Sequence, residues 1–334
     1  MTGFFRSRTQ IAVLLLSLAV VALTPIFGNL YHLHLVSLIA VYWVLISTLT
    51  LLVGYTGPIS IGHAGLLAIG AYAYTILTSK FGWNGYVAIP SAAAMCGLCG
   101  LILGLPSLRL PGFYFALTTI AFSLIVGENL LAWGGLTGGG TGLMVPSLPG
   151  LFASPRALYW LCIAAAVLAS LFCYNLARTM WGRNMIAVRD SEIAAQSVGI
   201  SPLRTKLTIF MLAGFFAGLA GALYALLQNY ILPENFHFDL SLFFFISIII
   251  GGRGELLGPF LGAVVLTLLP EVMGSLAQYA TLIYGVVLLL VVLMLPRGLG
   301  PMLRGAFASN KGTGEHAEEP DTERLKALLV GGKS

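Results

Sequence analysis

The chain has 334 residues, of which 58% are apolar and only 9% are Asp, Glu, Lys or Arg. Soluble globular domains carry about 25% charged residues, so this composition excludes a soluble fold, whereas a bilayer solvates apolar outer faces. The net charge of +5 is no nucleic-acid signal, because the basic residues are scattered between apolar runs.

Runs that can each cross a bilayer need about 20 apolar residues. They fall at 9–27, 34–53, 60–79, 86–104, 114–132, 157–176 and 206–228. A block at 241–275 follows, broken by GGRGELLGP, and the last run is 279–295. Counting the broken block as two short spans gives about ten, and a re-entrant block gives about nine or fewer. The expected fold is an all-α polytopic integral membrane protein. The first run follows Arg6 and Arg8 like a signal peptide, but Pro25-Ile26-Phe27 is a poor cleavage site, so an uncleaved span is expected. With ten spans and both ends in the cytoplasm, all of the 17 Lys and Arg except Lys80 and Arg156 lie inside. That asymmetry fits the positive-inside rule. The outer segment 229–240 carries Glu234 and Asp239 and no basic residue.

Gly54 to Gly70, GYTGPISIGHAGLLAIG, interrupts the apolar pattern with six glycines or prolines before and within a span, and adds Ser60 and His63. Irregular backbone at membrane depth survives only where protein or a water-filled cavity satisfies it, and broken helices often line transport pathways. Gly57, Ser60, Gly62 and His63 are therefore candidate pathway residues. The alternative is a tight turn followed by a glycine-packed helix. No second metal ligand lies near His63, and neither a metal nor a cofactor is expected. Cys96 and Cys99 have redox-motif spacing, but no His, charge or second pair accompanies them, so inert buried thiols are expected, as for Cys162 and Cys173.

The loop 177–206 is the largest polar insertion between spans. Asp190 or Ser191 can cap a short helix with Glu192 in its first turn, and Ala194, Ala195 and Val198 form a small apolar face. Gly199 can end that helix before Pro202. The product either lies on the lipid surface or fits a groove on a soluble partner, and its small residues favour the groove. In the next span Gly214, Ala217, Gly218, Gly221 and Ala222 form small-xxx-small pairs, a helix-packing signal first and a dimer signal second.

Gly251 to Gly262, GGRGELLGPFLG, again breaks an apolar block, with Arg253 and Glu255 at the break, and Gly258 joins the pathway candidates. Two interrupted segments in two halves suggest an inverted repeat. Residues 1–304 thus form one membrane domain, and the polar segment 305–334 is expected to be a disordered cytoplasmic tail. Its terminal GGKS lacks the first glycine of a phosphate-binding loop, where Ala327 stands, so no nucleotide site is expected.

GRNMIAVRDSEIAAQSVGISPLRTKLTIFMLAGFFAGLAGALYA resembles the signature of branched-chain amino acid ABC transporter permeases of the LivM type. GYTGPISIGHAGLLAIGAY, LRLPGFYFALTTIAF, the GGTGL at 139–143 and GGRGELLGPFLGA are similar to further blocks of that family, over roughly residues 40–300. Leu66-Leu67 departs from it, where Phe is expected, and the tail lies beyond it. The resemblance implies a permease subunit in a bacterial inner membrane, paired with a second related permease. It further implies two ATPase subunits on the cytoplasmic face and a periplasmic substrate-binding protein. The loop at 189–200 would be the coupling helix, with Arg189, Asp190, Ser191, Glu192, Ala194, Ala195 and Gly199 docking into the ATPase. Leu, Ile or Val is the implied substrate class, while related permeases also serve urea and short amides. A stand-alone secondary transporter or channel is the alternative. Ion coupling usually needs charged residues inside the membrane, and here Glu128 and Glu271, both near span ends, are the main candidates. A membrane enzyme is the third reading, against which stands the lack of paired carboxylates or a nucleophile–base spacing.

Overall fold

The computed structural model describes residues 29–106, 110, 112–252 and 258–273, and the isolated positions 25, 282, 285 and 286. The expected spans 9–27 and 279–295 fall almost wholly outside the described residues, as do Arg253, Glu255 and the tail 305–334.

Among the described residues the chain is overwhelmingly helical. Helix α1 is Leu30–Leu49 and runs on as a π-helical turn, Thr50–Thr56. Then come α2 (His63–Ser79), α3 (Gly85–Gly104), α4 (Gly112–Ala132) and a single turn, α5 (Gly134–Thr137). Next are α6 (Pro155–Arg178), α7 (Met180–Asp190), α8 (Glu192–Ser197) and α9 (Pro202–Gln228). Helices α10 (Phe238–Gly251) and α11 (Gly258–Met273) close the order. Two short strands, β1 (Leu143–Met144) and β2 (Tyr230–Ile231), pair antiparallel with Leu143 opposite Ile231.

Among the described residues, six helical stretches are long and apolar enough to cross a membrane: Leu30–Thr56, Gly85–Gly104, Gly112–Ala132, Pro155–Arg178, Pro202–Gln228 and Pro233–Gly251. Helix α2, with 17 residues, is shorter because the glycine break consumes its first turns. The block expected at 241–275 resolves into two helices. Gly251 closes on Gly258 and Gly262 on Ser247, pairings that run in opposite directions along the chain and make α10 and α11 an antiparallel hairpin. Tyr31 of α1 hydrogen-bonds Glu271, which ties the far end of α11 to the start of α1.

Helices α1 and α9 form the centre, and the remainder wrap them. Of the most apolar stretch of each, 83% is buried in α1 and 78% in α9, against 28% in α4 and 33% in α6. The outer faces of α3, α4 and α6 stay apolar, with Leu98, Ile102, Phe113, Ile125 and Leu168 exposed. A soluble protein would place polar residues there. Phe81, Trp83, Tyr86, Trp133 and Trp160 are exposed at the ends of these helices, where aromatic rings favour a membrane–water boundary.

The small-residue stripe of α9 is used inside the fold. A β-carbon at Gly214 would meet the Cys96 carbonyl oxygen at 2.5 Å, and one at Gly70 would meet Gly218 Cα at 2.5 Å. Glycine lets α2, α3 and α9 touch backbone to backbone, which is the packing reading of the stripe. The thiol of Cys96 meets the Leu66 carbonyl at 3.1 Å, and all four cysteines are free.

The loops divide between two ends. At one, Tyr86 donates to the Pro149 carbonyl at 2.6 Å, Val145 N–H to Asn229 at 2.9 Å, and Lys80 bonds the Gly135 carbonyl. At the other, the break after Thr56 meets the arm made by α7 and α8.

Candidate functional site

The arm expected as one short helix is two. Thr179 caps α7, its side chain accepting from Trp181 N–H, and Asp190 ends that helix. Ser191 then caps α8, accepting from Ala194 N–H at 3.3 Å, with Glu192 in the favourable first turn. The sequence left Asp190 and Ser191 as alternative caps, and the structure assigns Ser191. Gly199 takes φ +82°, and its N–H donates to Gln196 while Ile200 N–H donates to Ala195. This paired closure of the last carbonyls is a Schellman motif, which requires a residue tolerant of the left-handed conformation. Pro202 begins α9 at its first turn, with Ser201 as cap, where its missing N–H costs nothing.

Each expected arm residue has a definite place. Arg189, Asp190, Ser191, Glu192, Ala194 and Gly199 are exposed, and Ala195 is buried against the chain itself. Lys206 of α9 holds Glu192 through a 2.6 Å ion pair, which straps α8 to the membrane helix that follows. Two apolar residues dominate the outer surface: Val198, which the sequence places on the small apolar face, is 73% exposed, and Ile193, which the sequence reading did not single out, is 80% exposed. The signal of Ile193 was available, since a large aliphatic residue in a six-residue polar helix has no core to enter. Because α8 is so short, its geometry depends on its caps. Ser191→Ala should cost about 1 kcal/mol of local stability. Hydrogen exchange of the Ala194 and Ala195 amides should quicken about fivefold, by the corresponding population shift; an unchanged rate would show that packing alone holds the helix.

The break lies beside the arm. The π turn ends at Gly57, which takes φ +97° and donates its N–H to Leu52, and residues 58–61 run without helical bonds to the start of α2. Arg189 donates to the Gly54 carbonyl at 2.8 Å. At the other side of the break, Ile61 N–H donates to Thr119 Oγ1 at 2.9 Å, and Gly62 lies against the Thr119 backbone. Ala64 N–H, one of the free donors at the start of α2, is met by Ser241 Oγ at 3.0 Å. Ser60 Oγ and His63 Nδ1 are 3.3 Å apart and both residues are buried. His63 Nε2 and Ser123 Oγ have no hydrogen-bond partner among the described residues. A polar cluster from α2, α4 and α10 thus surrounds the break. Thr119, Ser123 and Ser241 were invisible to sequence reasoning, because isolated hydroxyls in apolar runs usually bond their own helix. Gly258 lies apart from this cluster in the fold's packing, with Gly251 and Gly252 as its close neighbours.

A cavity of about 240 Å³ opens at the opposite end of α1 and α9, between His34, Ser37, Leu148, Phe152, Leu226 and Asn229. Among the described residues no group of three His, Cys, Asp or Glu is placed to hold a metal ion.

This is a polytopic helical membrane protein with a glycine-broken helix buried at its centre and a capped, strapped arm at one end. Residues 31–295 match the family described as "Branched-chain amino acid transport system / permease component", and the chain belongs to that family. It is 34% identical to the high-affinity branched-chain amino acid transport system permease protein LivM of Escherichia coli (strain K12), over 84% of this chain and 73% of that protein. It is 32% identical to the same-named protein of Salmonella typhimurium, over 91% of this chain and 78% of that one. An autoinducer 2 import system permease protein LsrC of Enterobacter sp. (strain 638) is 29% identical over 79% of this chain and 77% of its own. No solved structure matches the chain. The resemblance read from the motifs is borne out over most of the sequence, and the family is one of transport permease components.

Proposed function

We propose that the chain is the membrane-spanning permease subunit of an ATP-driven importer for branched-chain or other small neutral amino acids in the bacterial inner membrane. It pairs with a second, related permease. Two separate ATP-binding subunits hydrolyse ATP on the cytoplasmic face, and a periplasmic binding protein delivers the solute. The observation that carries this reading is the arm. Helix α8 is closed at both ends by its own caps, strapped through Lys206–Glu192, and presents Ile193 and Val198 to the outside. A rigid apolar knob on a polar arm suits a groove on a partner better than a lipid surface, which favours longer amphipathic faces. Asp190, Ser191, Glu192, Ala194 and Gly199 frame that knob. Ala195 supports it from within, and Arg189 ties its base to the Gly54 carbonyl.

The orientation follows from charge. Arg178, Arg183, Arg189, Arg204 and Lys206 gather at the arm end, whereas Lys80 and Arg156 belong to the end that carries the paired strands. Placing the arm in the cytoplasm agrees with the positive-inside rule and supports an arrangement of about ten spans with both termini inside. Gly57, Ser60, Gly62 and His63 line the pathway at the break, with Gly258 at the second, hairpin break. The substrate class rests on what the two LivM relatives transport by name and on the neutral character of the buried cluster. The test is the ATPase activity of the purified complex of this chain, its paired permease and the ATP-binding subunits. Leucine-, isoleucine- or valine-loaded binding protein should raise it severalfold. Stimulation by urea or an amide alone would contradict the substrate class, and an absence of ATP-binding subunits from the complex would contradict the importer.

A further inference from the structure

Arg189 stands at the last turn of α7, one residue before the arm turns into α8, yet its side chain does not follow the arm outward. One guanidinium nitrogen donates to the Gly54 carbonyl at 2.8 Å, and Nε donates to Asp190 Oδ1 at 3.2 Å. The aliphatic stem lies across Gly57, where a β-carbon would come within 2.7 Å of Arg189 Cγ. Gly57 is required twice: its φ of +97° disfavours any other residue, and the arginine stem occupies the space of a side chain.

The chemistry of the contact is that of a helix end completed from elsewhere in the sequence. The chain leaves the helix at Gly57, so the last carbonyls of the Thr50–Thr56 turn have no further helical donor. A cation there also meets the negative end of the helix dipole. Arginine fits because its fixed fork reaches two acceptors at once, one on the break and one on the arm. The far side of the break is fixed independently by Thr119 through Ile61 and Gly62. Residues 57–62 are therefore a short non-helical strap held at one end by the arm and at the other by α4.

We infer that Arg189 is a positioning residue that makes the Gly57–Gly62 break follow the arm, instead of being itself a contact for the ATPase. This rests on the arm's being the docking element. Movement of α7 and α8 against the bundle pulls on Gly54 and Gly57. The strap transmits that pull to Ser60 and His63, three and six residues on. Pi turns and positive-φ glycines are segments that change conformation at low cost, which is what such a link needs.

The test uses the complete complex in lipid nanodiscs, with Cys99→Ser removing the half-buried native thiol and Ile59→Cys placing a reporter on the break. Ile59 is 38% exposed, while Cys96, Cys162 and Cys173 are buried. Maleimide labelling of position 59 is timed without nucleotide and after trapping with ATP and vanadate. The expected result with Arg189 present is a difference of at least about fivefold between the two states. With Arg189→Gln the difference should vanish while the ATP-binding subunits still co-purify. Arg189→Lys, which keeps one donor for Gly54, should restore part of it. A difference that persists in Arg189→Gln overturns the link, as does its absence with Arg189 present. Loss of the ATP-binding subunits from Arg189→Gln alone would make Arg189 a docking contact and leave the arm's role standing. Their absence from the unmodified complex would overturn the importer and the link together. Should Arg189→Gln not fold, Gly57→Ala displaces the same stem and should abolish the difference; if it leaves the difference intact, the link is wrong.

Discussion

Ile193→Asp should strip the ATP-binding subunits from the complex while the permease itself stays folded. Ile193 is 80% exposed, so it contributes little to the interior of its own chain, and replacing it removes almost no packing there. In a docked arm the same side chain would be the largest apolar group on α8 and would be desolvated by the partner. Central, fully desolvated anchors typically cost 2 kcal/mol or more when lost, roughly a 30-fold weakening, and a buried unpaired carboxylate adds to that. The expected readout is loss of co-purification with unchanged detergent size-exclusion behaviour. If the variant retains the ATP-binding subunits at the same affinity, α8 is not the docking element. Val198→Asp should act in the same direction. Ala195→Trp is a different experiment, because Ala195 is buried and a large side chain there would dislodge α8 from its own protein.

The second large effect is on folding. Gly218→Val should leave little correctly folded protein, because α9 is the hub against which α2 and α3 pack. A β-carbon at Gly218 would lie 2.5 Å from Cys96 Cβ and 2.9 Å from Ala93 Cα, and a valine adds two more methyl groups. Overpacking costs about 1–3 kcal/mol where neighbours can yield. Here the obstacle on α3 is partly backbone, so the helices must part and lose the contacts on either side. Gly127→Val is the matched control, since nothing lies within 4 Å of a β-carbon there. Thermal unfolding followed by fluorescence-detected size exclusion should show a large fall in midpoint for Gly218→Val and almost none for Gly127→Val. Equal behaviour of the two would mean that α9 does not pack as described.

Much of this architecture could be read from composition and spacing. The runs 86–104, 114–132 and 157–176 match α3, α4 and α6 to within two residues at each end, because a long apolar run has few alternatives to a helix. Gly199 could be recognised as a helix stop because its conformation is local. The stripe from Gly214 to Ala222 identified a packing face, and the structure shows which helices fill it. What could not be read depends on distant contacts. Arg189 and Gly54 are 135 residues apart, and nothing in either segment announces the other. Ser241 serves Ala64 across 177 residues for the same reason. The π turn at Thr50–Thr56 also escaped, since a continuous apolar run reads as ordinary helix until the glycines begin. The two glycine-rich breaks look alike in sequence and are built differently: the first is a non-helical strap lying between Arg189, at Gly54 and Gly57, and Thr119, at Ile61 and Gly62, the second a hairpin that closes Gly251 on Gly258.

The central claim is that this chain moves solute only when separate ATPases drive it through the arm. It is tested by uptake of labelled leucine into proteoliposomes. One set contains this chain and its paired permease, and the other contains the ATP-binding subunits as well, both with the binding protein outside and ATP within. The account predicts accumulation above the external concentration only in the second set, abolished there by Ile193→Asp. Equal uptake by the first set would contradict it and make the chain a transporter or channel in its own right.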